Sequence, residues 1–160
     1  MHIILCSTLY DTRNSVFPSR FLDAAPDLTS LAITSTAMTY VPARWLQSVG
    51  NGLVSVNLDA NLITYIEPAF FQGHPWIQNL QVTVFFSNKF KLRFRRGLQY
   101  NLLTYITAEL FNQSYGLINV DLRFNLIHTI DDKTFDNTPL LASLLVDECC
   151  DRLLPQTITA

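Results

Sequence analysis

LINVDLRFNLIHTIDDKTFDNTPL, residues 117 to 140, decides how the rest of the chain is read. Leu117, Val120 and Leu122 lead to Asn125, and Ile127, Ile130 and Phe135 follow. Apolar residues alternate only through Val120-Asp121-Leu122. After that their spacing suits neither one helix nor one strand. A short strand, a tight turn and a looser return path would point all of them inward. One such coil leaves its apolar faces uncovered, so it needs copies stacked on either side.

Those copies are present. Leu53–Trp76 repeats the pattern with Leu53, Val56, Leu58, Asn61, Ile63, Ile66 and Phe71. Leu28–Gly52 repeats it with Leu28, Leu31, Ile33, Thr36, Met38, Val41 and Leu46. The unit returns at Asn101 with Leu103, Ile106 and Phe111, and a partial copy carries Leu141, Leu144, Val146 and Cys149. Thr36, Asn61, Asn101, Asn125 and Cys149 hold one repeat position, at steps of 25, 40, 24 and 24 residues. The pattern LxxLxLxxN at this period resembles the leucine-rich repeat family, in its form with Phe on the return path. The resemblance implies an α/β fold: a right-handed leucine-rich repeat solenoid with a parallel sheet on its concave face and an irregular or short-helix convex face. It also implies a non-enzymatic recognition protein that is extracellular or at the cell surface, of the receptor, adhesion or secreted innate-immune kind. An intracellular scaffold or adaptor is the alternative. Fold alone does not choose between them.

The expected organisation is one array of about six coils over residues 1–160: 4–27, 28–52, 53–76, 77–116, 117–140 and a partial 141–160. The first is degraded, with Ile4, Leu9, Thr12, Phe17-Pro18 and Leu22 in register. At 49% apolar the chain can fill a continuous core. Its net charge of −2 gives no reason to expect a nucleic-acid partner. No apolar run reaches the roughly 18 residues of a membrane helix, and the start, MHIILCSTLY, lacks a basic leader and a clear cleavage site. A truncated or partial product is therefore expected. Cys6, Cys149 and Cys150 make no disulfide framework, and Cys149 reads as a packed thiol.

The 77–116 copy is 16 residues too long. The excess, near 84–99, contains KFKLRFRR at residues 89–96, with alternation that suits a basic hairpin for an acidic partner, an anionic membrane or a heparin-like polymer. Removing Val84–Gln99 instead joins Ile77, Leu80 and Val82 to Asn101 in unbroken LxxLxLxxN order, leaving six basic and thirteen acidic residues, net −7. Retained intron sequence is the preferred reading of the segment, and sequencing the transcript tests it.

No catalytic constellation emerges. His2, His74 and His128 fall at different repeat phases, which argues against a metal site. Asp131-Asp132 and Asp147-Glu148 read as solvated pairs. No cofactor is expected. Asn112-Gln113-Ser114 is an N-glycosylation sequon on the return side, relevant if the chain is exported. In the family the shared-position residues bond the backbone of adjoining loops, so Thr36, Asn61, Asn101, Asn125 and Cys149 are expected as a structural ladder. Phe71, Phe111 and Phe135 should stack as an inner spine. Strand alternation sends Ser30, Ala32, Thr34, Ser55, Asn57, Asp59, Asn119, Asp121, Arg123, Ser143, Leu145 and Asp147 out of the concave sheet. A protein or peptide ligand is expected there, held by Asn57, Asp59, Asn119, Asp121, Arg123 and Asp147, with Tyr100 and Phe124 as aromatic anchors.

Overall fold

The computed structural model describes residues 2–6, 17–18, 20–36, 38–83 and 101–147. Tyr100, Cys149, the basic stretch 89–96 and the whole of 84–99 lie outside the described residues. The main sheet has six parallel strands: β1 (His2–Cys6), β2 (Ser30–Thr34), β4 (Ser55–Asn57), β6 (Asn79–Gln81), β8 (Asn119–Asp121) and β10 (Ser143–Leu145), side by side in that order. β3 (Tyr40–Val41) and β5 (Tyr65–Ile66) form a second, two-stranded ladder on the return path. β7 (Tyr105–Ile106) and β9 (Thr129–Ile130) form a third. The chain is thus a parallel-strand solenoid with little helix. Among the described residues its return side holds paired strands and the 3-10 turns Ala43–Leu46 and Pro68–Phe71.

Alternation explains the packing. Leu31, Ile33, Val56, Leu58, Leu80, Val82, Val120 and Leu122 point inward, each 1% exposed or less. Beyond them Phe111 stacks on Phe71 at 5.9 Å and on Phe135 at 5.5 Å, a column running along the solenoid axis. Phe17 and Phe21 close on Trp45 edge-on, at 5.6 and 5.1 Å. Close stacking also demands glycine at one joint. A Cβ on Gly116 would sit 2.7 Å from the Pro75 carbonyl oxygen and 2.9 Å from the Trp76 Cα.

The turn after each strand is sharp. Ser35, Ala60 and Phe124, each just before the shared position, have φ of 57°, 56° and 61°. That left-handed backbone costs a non-glycine residue about 1–2 kcal/mol. The next residue's side chain offsets it. Asn61 Nδ2 donates to the carbonyls of Ile33 (2.7 Å) and Leu58 (2.9 Å), and its Oδ1 accepts from the N–H and hydroxyl of Thr36. Asn101 donates to Leu58 and Thr83 and accepts from the Ile63 N–H. Asn125 donates to Val82 and Leu122 and accepts from the Leu103 N–H. Backbone groups that a turn would leave unpaired are thereby satisfied coil to coil.

β1 pairs in register with β2, setting Ile3 opposite Leu31, Ile4 opposite Ala32 and Leu5 opposite Ile33. The long coil keeps its main-sheet strand unbroken. β6 is complete and pairs with both β4 and β8. The Ala60 N–H donates to the Thr83 carbonyl, and Asn101 Nδ2 reaches the same oxygen at 3.3 Å. The Ser35 N–H and Asn61 Nδ2 reach the Asp59 carbonyl in the same way, so Thr83 and Asn101 take the places that Asp59 and Asn61 hold in the coil before. Deleting 84–99 should leave the thermal midpoint unchanged or higher, because a long closed loop is removed from a turn already in register. A midpoint several degrees lower would show that the segment supports the fold.

Candidate functional site: the outward face of the main sheet

The outward residues form rows across the strands. One runs Ser30, Ser55, Asn79, Asn119, Ser143; the next runs Ala32, Asn57, Gln81, Asp121, Leu145. Neighbours in these rows are coupled: Asn57 Nδ2 donates to Gln81 Oε1 at 2.9 Å, and Asn119 Nδ2 to Asn79 Oδ1 at 2.8 Å. Cross-strand amides of this kind hold one another in fixed rotamers and leave their remaining donors and acceptors for a partner. Asn79 and Gln81 were missed in the sequence, where the overlong coil was phased but its outward residues were not read off. Ile77, Leu80 and Val82 carried the signal.

The charged end is more self-contained than expected. Arg123 donates through Nε and Nη2 to the two carboxylate oxygens of Asp121, at 3.0 and 2.7 Å, and its backbone N–H joins them. The Asp121 carboxylate and nearby Asp147 hold the guanidinium above its ordinary pKa. In water such an exposed pair adds about 0–1 kcal/mol to stability, so its weight falls on the shape of the surface. Asp147 accepts the Phe124 N–H at 2.8 Å, and the Phe124 ring is 41% exposed beside it.

Asp59 corrects the expectation of an outward anchor. It is 7% exposed, and its Oδ1 accepts from the N–H and the hydroxyl of Thr83 in the next coil. β4 ends at Asn57, so strand alternation no longer directs this side chain, and the turn folds it under. Burial raises its pKa above 3.8, against the opposing bonds from Thr83, and Asp121 adds to the rise. The folded carboxyl therefore keeps its proton to higher pH than the unfolded one. Its contribution to stability is complete below about 3.8 and is lost as pH rises through the folded value. Asp59→Asn keeps an acceptor for Thr83 and removes the charge. It should melt at or above wild type at pH 7, and the difference should shrink by pH 4. A variant less stable at pH 7 would mean that the Thr83 bonds need a carboxylate.

His74 is buried, its Nε2 donating to the Leu46 carbonyl at 2.9 Å, and burial lowers its pKa. His128 is exposed and bonded to Thr129. Asp131 is not a free acid: it accepts from the Tyr105 hydroxyl and the Ala108 N–H. Asn112 is exposed and its Oδ1 accepts from Asn137, while Ser114 is buried. Among the described residues no group of three or more His, Cys, Asp or Glu is gathered to hold a metal, and no helix is long and apolar enough to cross a membrane.

No family model and no curated protein sequence matches the chain. A solved structure does: Toll in the Toll–Spätzle complex, described as a molecular hub in Drosophila development and innate immunity. The TM-score is 0.67 at 22% identity over 82% of this chain, which spans 15% of that one. With its parallel strands and asparagine turns, the chain has the fold of a leucine-rich-repeat solenoid.

Proposed function

We propose that the chain is a non-enzymatic recognition module that holds a protein or peptide on the outward face of its main sheet. The observation that carries this reading is the two rows of paired side-chain amides, Asn79–Asn119 in one and Asn57–Gln81 in the other, the second running into the Asp121–Arg123 pair. Fixed polar groups on a continuous sheet, ending beside an exposed aromatic ring, match the composition of protein interfaces. The fold shared with Toll, solved in complex with Spätzle, supports a protein partner and an extracellular setting. Asn119, Asp121, Arg123, Phe124 and Asp147 stay in the proposed site with Asn57, and Asn79 and Gln81 join them. Asp59 shapes the turn beside it. In a secreted chain, Asn112 would carry an N-linked glycan on the return side, clear of this face.

The test is a binding screen of the chain, displayed as a tagged bait, against a panel of extracellular proteins. Every hit is then measured against Asn79→Arg, Asn119→Arg and Arg123→Glu on the sheet, and Asp132→Lys and Lys133→Glu on the return side. Loss confined to the sheet variants, with unchanged circular dichroism, supports the reading. Equal loss on both sides, with folding intact, rejects it.

A further inference from the structure

The return path carries a second, separate surface. Tyr40, Tyr65 and Tyr105 stand at equivalent positions at the heads of β3, β5 and β7, each between 42% and 47% exposed. Tyr40 and Tyr65 stack at 5.9 Å with rings 11° apart. The Tyr105 hydroxyl bonds Asp131 in the next coil at 2.6 Å. For Tyr65 the corresponding residue is Thr107, whose Oγ1 is buried without a hydrogen-bond partner.

The backbone ladder opens at this same joint. Between β3 and β5 the Thr64 N–H donates to the Thr39 carbonyl and the Glu67 N–H to that of Val41, both at 2.9 Å. Between β7 and β9 the His128 N–H donates to Thr104 and the Asp131 N–H to Ile106, at 3.0 and 3.1 Å. β5 and β7 are not paired, and neither corresponding bond, Thr104 to Thr64 or Thr107 to Ile66, is made. The gap is a cleft of about 100 Å³ lined by these residues, with Tyr65 on one side and Tyr105 on the other. The charges acting on the Tyr105 phenol are those of Asp131 and Glu109, both acidic.

We propose that this cleft is a socket for one arginine side chain presented by a partner protein or peptide. A guanidinium is planar, offers five N–H donors and is weakly hydrated, which suits a narrow slot between strands. The Thr64 and Ile66 carbonyls are acceptors without a partner strand. Tyr65 and Tyr105 border the cleft with aromatic rings, which attract a cation, and Asp131 and Glu109 supply the field. A carboxylate would meet these acids, and an aliphatic group would leave every acceptor unpaired.

The test titrates the folded chain with three pentapeptide amides that differ only at their centre: arginine, lysine or citrulline, the neutral near-isostere of arginine. Backbone amide NMR shifts are followed. Saturable shifts should centre on Thr104 and Thr107, with the arginine peptide binding about ten-fold tighter than the citrulline one. Tyr65→Ala and Tyr105→Ala should each weaken it several-fold, and Tyr40→Ala should not. Equal binding of all three peptides overturns the proposal. So does lysine binding as well as arginine, shifts centred on the main-sheet amides instead, or a folded Tyr65→Ala chain that binds like wild type.

Discussion

Phe111→Ala is expected to lower the unfolding free energy by about 3–5 kcal/mol. The ring is 1% exposed and stacks on both sides, against Phe71 and Phe135, with interplanar angles of 29° and 23°. In a solenoid each coil is stabilised through its two neighbours. Removing the middle ring therefore weakens two interfaces at once, and little can collapse into the space. Phe135, 8% exposed and stacked on Phe111, should cost less on the same change. Domains of this size are stable by about 5–15 kcal/mol in all, so the Phe111 variant should unfold at markedly lower denaturant and with a broader transition. Urea unfolding of both variants checks this. A loss below about 1 kcal/mol for Phe111, or a larger one for Phe135, would mean that the column does not couple the coils.

The inward side of the solenoid was readable because each of its positions answers one requirement. Leu58, Val120 and Leu122 are apolar at strand spacing, and Asn61 and Asn125 recur where a buried turn needs both a donor and an acceptor. The outward side was read only in part, because alternation gives a direction and nothing about partners. It placed Asn57, Asn119 and Asp121 on the main face. It could not show that Arg123 closes on Asp121, since the two are neighbours only after the turn bends back. It failed at Asp59, two residues past the strand, where the turn sets the side chain. The return side was less legible still. Two-residue strands such as β5 and β7 leave no period to detect, and the unpaired joint between them depends on hydrogen bonds that are not made. Asn79 and Gln81 were missed for a simpler reason. Ile77, Leu80 and Val82 already phased that coil with Asn101, but the outward residues between them were not read off.

That joint should also be the most sensitive polar position. Asn101 is fully buried and holds three backbone groups: the Ile63 N–H at 3.0 Å, the Leu58 carbonyl at 3.1 Å and the Thr83 carbonyl at 3.3 Å. Asn101→Ala strands all three where water cannot easily reach, at about 1–3 kcal/mol for each group left unpaired. It also cuts the contact that ties Thr83 to the point where the chain returns. Asn101→Asp separates the two halves of the role. A carboxylate can still accept from Ile63, but it has no N–H for the carbonyls and would place a charge against them. At neutral pH the Asp variant should therefore be the less stable of the two. On acidification its carboxyl gains a proton that can serve one carbonyl, so the gap to the Ala variant should narrow or reverse towards pH 4. Thermal melts of the two variants at pH 7 and pH 4 measure both effects. If Asn101→Ala melts within a degree of wild type, the turn is held by the apolar stack alone, and the asparagines are passengers in it.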